Sequence, residues 1–142
     1  MNKNQFRDYG GMPLVLNLPS AAKRSSAFRQ TLWTGKDLQL TVMSVPVGEE
    51  IGCEMHEDHD QMLRVEEGVA LLRIGDCREN LKDARRVSAG MALLVPAGLY
   101  HNVINVGQVP LKISSVYGPP AHPRGTVHLT KADADAAEKR ED

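Results

Sequence analysis

Between Phe28 and Tyr117, apolar and β-branched segments return roughly every eight to twelve residues, and Gly, Pro, Asn and Asp cut each one short. A chain punctuated this often leaves no space for long helices in that region. It must lay down short strands joined by tight turns, which predicts an all-β sandwich or barrel. The strands are expected at Phe28–Thr34, Leu38–Val45, Ile51–His56, Gln61–Glu66, Val69–Ile74, Ala84–Val87, Met91–Val95, Tyr100–Val106 and Leu111–Tyr117. Gly35-Lys36-Asp37 and Glu67-Gly68 sit between neighbouring strands as hairpin turns.

Outside that region the pattern weakens. Pro13–Leu16 reads as a short edge strand, and Ser20 as the N-cap of one or two helical turns over Ala21–Ala27. The segment AHPRGTVH reads as irregular. Thr130 and Asp133 resemble a capping box, which predicts a short, largely solvated helix with a frayed end. The expected organisation is an N-terminal extension (1–27), a barrel (28–120), and a C-terminal segment with an Ala-rich tail (121–142).

Composition narrows the function classes. A chain of 142 residues, 42% apolar and 25% charged, can bury a core without disulfides or structural metals. Its net charge of −1 provides no basic field for nucleic acid or an anionic membrane. Aromatic residues, at 4%, are too few for a base-stacking surface. No apolar run approaches the roughly 20 residues that cross a bilayer. The opening MNKNQFRDYGGM lacks the apolar segment of a secretory signal, so the cytoplasm is the expected location. Cys53 and Cys77 are expected as free thiols there.

Two stretches carry the chemistry, GEEIGCEMHEDHDQMLRVEEG from Gly48 to Gly68 and GMALLVPAGLYHNVIN from Gly90 to Asn105. Alternation along Ile51–His56 puts Glu54 and His56 on one face, with Ile51, Cys53 and Met55 on the other. Parity alone allows two arrangements. Either the polar pair points inward at a ligand, or the strand is inverted and the pair faces water.

The second stretch resembles the second motif of the cupin superfamily, G-x5-P-x-G-x2-H-x3-N, at every fixed position: Gly90, Pro96, Gly98, His101 and Asn105. The first stretch resembles the first motif, G-x5-H-x-H-x3-4-E-x6-G, with two departures. Gly48, His56 and Gly68 fit, while Glu54 stands where the first His is expected and Gln61 where the Glu is expected. WTGKDLQL, IGCEMHEDHDQMLRVEEG and HPRGTVHLTKADA further resemble small single-domain bacterial cupins described as mannose-6-phosphate-isomerase-like. The resemblance implies a cupin-type jelly-roll β-barrel, or double-stranded β-helix, with short helical segments at both ends. It also implies a homodimer. It does not imply isomerase activity, because the fold hosts many chemistries.

Carried over position by position, the resemblance makes Glu54, His56, Gln61 and His101 the expected ligands of one divalent transition metal. Two imidazoles and a carboxylate match the ligand set of non-haem iron oxygenases, and nitrogen and oxygen donors without thiolate suit Fe, Mn, Ni or Zn. His59 and Asp60 are rival ligands on the adjoining loop. His122 and His128 are expected at the barrel mouth, behind the ligands, or as a clamp between subunits. Arg64, Arg73, Lys112 and Tyr117 are candidates for holding a polar or anionic ligand. The expected activity is that of a metal-dependent isomerase or dioxygenase on a small polar, sugar-like or carbonyl metabolite. The alternatives are a non-catalytic small-molecule binder and a dimeric scaffold.

Overall fold

Alternating apolar side chains generate strands whose inner faces meet, and the strands here form two antiparallel sheets. The structure, a computed structural model, describes residues 6–141, with side chains as far as residue 138. The expected extension's residues 1–5 and the tail's last residue, where fraying was expected, lie outside the described residues. After helix α1 (Leu18–Arg24) come β1 (Arg29–Thr34), β2 (Gln39–Val45), β3 (Asp60–Glu67), β4 (Val69–Gly75) and β5 (Asp83–Ser88). Strands β6 (Ala92–Val95), β7 (Tyr100–Asn105), β8 (Leu111–Gly118) and β9 (Val127–His128) follow, and helix α2 (Lys131–Glu141) ends the chain.

The larger sheet has the order β6-β3-β8-β2-β1-β9, and the smaller has β5-β4-β7. This is the all-β jelly roll with two short helices. The core lies between the sheets and takes every second residue of its strands: Met43 and Val45, Leu63 and Val65, Ala70 and Leu72, Leu111 and Ile113.

Several local expectations fail for identifiable reasons. Pro13–Leu16 forms no strand. The arm is instead fixed by side chains and single bonds, with Trp33 Nε1 donating to the Met12 carbonyl at 2.6 Å and Tyr9 N–H to Leu32 at 2.8 Å. Helix α1 starts before Ser20 because Pro19 suits a first helical turn, and the cap is Asn17, whose side chain accepts from Ser20 N–H at 3.0 Å. AHPRGTVH is not wholly irregular, since β9 pairs His128 with Arg29 and Val127 with Gln30.

The reciprocal bonds between Thr130 and Asp133 do open α2, at 3.1 and 3.2 Å. That helix is mostly exposed, yet Ala134 is buried in the core cluster, which anchors α2 against the barrel.

The segment Ile51–His56 differs most from expectation. It makes only isolated bridges to β7, with Glu50 opposite Ile104 and Glu54 opposite His101. Four steps on one side answer three on the other, which is the extra residue of a β-bulge. Gly52 sits within the bulge at φ +104°, a conformation that needs glycine. Its N–H leaves the ladder and donates to Asn102 Oδ1 at 2.9 Å. The bulge resets the alternation, so Ile51 joins the core and Glu54 still points inward.

One buried carboxylate ties the N-terminal arm to the barrel. Asp8 accepts from Gly10 N–H, Thr34 N–H, Thr34 Oγ1 and Gly125 N–H at 2.8, 3.0, 2.6 and 3.1 Å. Burial pushes its pKa up, but bonds from Thr34, Thr31, Gly10 and Gly125 outweigh that and leave it lowered. Asp8→Asn turns an amide N–H donor toward those donors in place of an acceptor oxygen and is expected to cost about 1–3 kcal/mol in urea unfolding. Because the folded pKa is depressed, this contribution is complete above the unfolded value and is lost as pH falls through the folded one. The stability gap between wild type and Asp8→Asn is therefore expected to hold near neutrality and to shrink below about pH 4.

Candidate metal centre

Two protein segments deliver the cluster of Glu54, His56 and His101. The bridge between Glu54 and His101 is made of two reciprocal backbone bonds, of 2.8 and 2.9 Å, which set the two side chains on the same face. His56 follows two residues later, and its carbonyl accepts from Gly98 N–H at 2.8 Å. Gly98 lies at φ +88° in the turn after Pro96, a position that suits glycine. The turn of the second motif thus holds the backbone of the first. Asp60 completes this junction, accepting from Ala97 N–H at 2.9 Å.

The rings of His56 and His101 have centroids 5.7 Å apart. His56 Nε2 stands 3.5 Å from Glu54 Oε2, and His101 Nε2 stands 4.0 Å from the same oxygen. One ligand atom from each of Glu54, His56 and His101 lies within 4.8 Å of the others. Two donors each about 2.1 Å from one ion stand roughly 3 Å apart at a right angle and at most about 4.2 Å apart, so both separations from Glu54 Oε2 fall in range. The Nε2 atoms of His56 and His101 are buried and lack hydrogen-bond partners among the described residues, as does Gln61 Oε1. Buried polar atoms are almost always satisfied, so three orphans beside one carboxylate fit a cation site.

Gln61 stands opposite Tyr117 in the β3–β8 ladder, and both line the void under the cluster together with Glu54 and His101. Its Nε2 donates to Ser115 Oγ at 3.4 Å, leaving Oε1 for the void. His101 Nδ1 lies 3.3 Å from the Leu99 carbonyl, an arrangement that puts the ring proton on Nδ1 and leaves Nε2 as a lone pair. Burial lowers the pKa of His101, which favours the neutral, ligating form.

Glu54 is held ionised. Burial alone would raise its pKa, but His56, Arg29 and His101 outweigh burial and bring it to about 2. Arg29 supplies the direct ion pair, with Nη2 at 3.0 Å from Oε1, and Oε2 faces the imidazoles. Sequence reasoning missed Arg29. Phe28, Arg29, Gln30 and Thr31 are all buried, so alternation gives no clue to which of them faces inward. The only available signal was a lone charge in an otherwise uncharged run, Ala27 to Trp33.

A cleft of about 270 Å³ opens on the cluster, lined among others by Arg29, Glu54, His56, His122, His128 and Glu138. His122 and His128 therefore sit at the mouth. Burial, and then Arg29, push the pKa of His122 down to about 3, so this imidazole is neutral. Tyr117 makes edge contacts with both His56 and His122, at 5.6 and 5.4 Å between centroids. Burial raises its pKa to about 12, so it stays a neutral phenol.

The loop candidates are engaged elsewhere, His59 Nε2 at 2.8 Å from the Pro120 carbonyl and Asp60 at the Ala97 turn. Arg64, Arg73 and Lys112 bond to Glu66, to the Leu81 carbonyl, and to Ser25 and Ser44, and none of them lines the cleft. The contribution of α2 to the mouth, through Ala137 and Glu138, was not anticipated.

Comparison with known proteins agrees with this architecture. The uncharacterized protein YrkC of Bacillus subtilis (strain 168) is 51% identical over 133 residues, 94% of this chain and 72% of YrkC. The crystal structure of BH2720 from Bacillus halodurans matches with a TM-score of 0.90 at 52% identity, covering 92% of this chain and 98% of that one. A protein from Klebsiella pneumoniae with a double-stranded β-helix domain shares the fold, with a TM-score of 0.63 at 20% identity over 76% of this chain and 91% of the other. Residues 41–117, which run from β2 through β8 and contain both motifs, match the cupin domain, and the chain belongs to the cupin family.

Proposed function

We propose that this protein is a divalent-metal-binding cupin acting on a small polar metabolite, as a metal-dependent isomerase or dioxygenase. The observation that carries the reading is the convergence on Glu54 Oε2 of two buried imidazole Nε2 atoms, those of His56 and His101, that lack a hydrogen-bond partner among the described residues. Glu54, His56 and His101 would hold the cation, and Gln61 would add a neutral oxygen. The altered motif keeps a workable donor set, two imidazoles, a carboxylate and an amide, suited to Fe, Mn, Ni or Zn. When bound, such an ion supplies Lewis acidity toward a carbonyl or enediolate oxygen, or a site for dioxygen.

The chain's own residues prepare the site. The Leu99 carbonyl fixes the His101 tautomer, and Arg29 occupies one oxygen of Glu54 so that the other turns to the imidazoles. Tyr117 walls the ring of His56. The cleft beside His122 supplies access for a ligand.

The reading extends to assembly and location. We include a homodimer, supported by an apolar hollow around Met62, Leu94 and Val116, where Leu94 is 75% exposed. We include a cytoplasmic location, with which the two free cysteines are consistent. No helix among the described residues is long and apolar enough to cross a membrane. The narrower kinship with mannose-6-phosphate-isomerase-like cupins belongs to this reading and assigns no substrate.

Elemental analysis of purified, reconstituted protein is expected to find about one divalent ion per chain in wild type and almost none in His56→Ala or His101→Ala. A wild type that holds no metal after reconstitution rejects the proposal. Gln61→Leu is expected to keep the metal but to bind it roughly tenfold more weakly, measured by competition with a chelator. Light scattering is expected to report a mass near twice the chain's 15.6 kDa, and a monomer would remove the dimer from the reading.

A further inference from the structure

The charge of the cluster points past the metal to its ligand. Glu54 is the one carboxylate in the His/Glu group, and Arg29 already pairs with it at 3.0 Å. The other inward groups are imidazoles, an amide and a phenol, none of them a carboxylate. At the rim, Arg78 and Glu138 contribute one charge of each sign. Among the described residues the cleft therefore offers no net negative charge to a dication, and an uncompensated buried charge is costly.

A second observation concerns Arg29 itself. It is 1% exposed and lines the cleft, yet its Nε has no hydrogen-bond partner among the described residues. A guanidinium has further donors beyond the one that Glu54 uses, in a geometry that suits a carboxylate. A neutral polyol could accept from this buried donor but would leave the excess positive charge unanswered. The cleft, about 270 Å³, lies just under the roughly 300–1,000 Å³ of pockets for drug-sized ligands.

Resting on the metal reading above, we infer that this site takes a small carboxylate-bearing anion of a few carbons, with Arg29 as the residue that selects it. Arg29 then has two roles. It cancels Glu54, so that the loaded centre demands an anion, and it donates to that anion. Specificity follows from charge more than from shape.

The test uses the full chain loaded with Ni²⁺, with malonate and its neutral diamide, malonamide, as probes. Calorimetric titration is expected to show malonate binding loaded protein at least tenfold more tightly than malonamide, and more tightly than it binds metal-free protein. Elemental analysis after each titration is expected to show the nickel retained.

Arg29→Gln is expected to weaken malonate by roughly tenfold or more while nickel is held as tightly or more tightly, because Glu54 is then unshared. Arg29→Lys is expected to restore much of the malonate affinity. A merely structural role for Arg29 would weaken both ligands together. If Arg29→Gln does not fold, the comparison of malonate with malonamide on wild type decides. Equal binding of the two probes to nickel-loaded wild type, or stripping of its nickel by malonate, overturns the inference and leaves the metal site standing. Failure of wild type to bind nickel overturns both.

Discussion

Two short backbone hydrogen bonds between Glu54 and His101 join the halves of the site. They attach a segment that is otherwise barely a strand to the free edge of β7, and so bring the first motif onto the second. Their register depends on the bulge at Gly52, which inserts one residue between the two bridges. Without that insertion, Ile51 and Glu54 could not both face inward, because three residues apart on a regular strand they would point to opposite faces. The bulge therefore reconciles a core requirement with a site requirement inside four residues.

The buried ion pair sets the electrostatics. Arg29 arrives from β1 in the six-stranded sheet, and Glu54 hangs on the edge of the three-stranded one, so their contact spans the barrel. A buried carboxylate without such a partner would take up a proton. With it, Glu54 remains ionised, and the oxygen that Arg29 does not contact stays directed at two imidazoles. The pair also neutralises the only negative group of the cluster, which separates this centre from one in which a carboxylate offsets the charge of its ion.

Legibility in the sequence followed the locality of the interaction. Strands β1 to β8 were readable because alternation and turn residues are properties of neighbouring positions. The second motif was readable because Pro96, Gly98 and His101 act within one strand–turn–strand. Glu54, Gln61 and His56 were found by their offsets from Gly48 and Gly68, not by periodicity, and the bulge shows why parity left them undecided. Local rules also misled. Ser20 has the right chemistry for an N-cap, yet Asn17 with the following Leu18-Pro19 starts the helix earlier. Arg29, α2's place at the cleft and β9 were not legible, because each depends on packing across many residues of separation.

By itself, the sequence determined the class of fold and the turns, and its resemblance to two glycine-bounded motifs marked four candidate nitrogen and oxygen donors, Glu54, His56, Gln61 and His101. The fold class and turns follow from steric preferences that act over a few residues. Only the tertiary structure decided which donors meet, which oxygen of Glu54 is free, and that a guanidinium cancels its charge. Burial changes the dielectric around a group and brings distant charges to about 3 Å, and no local pattern along a chain encodes either effect.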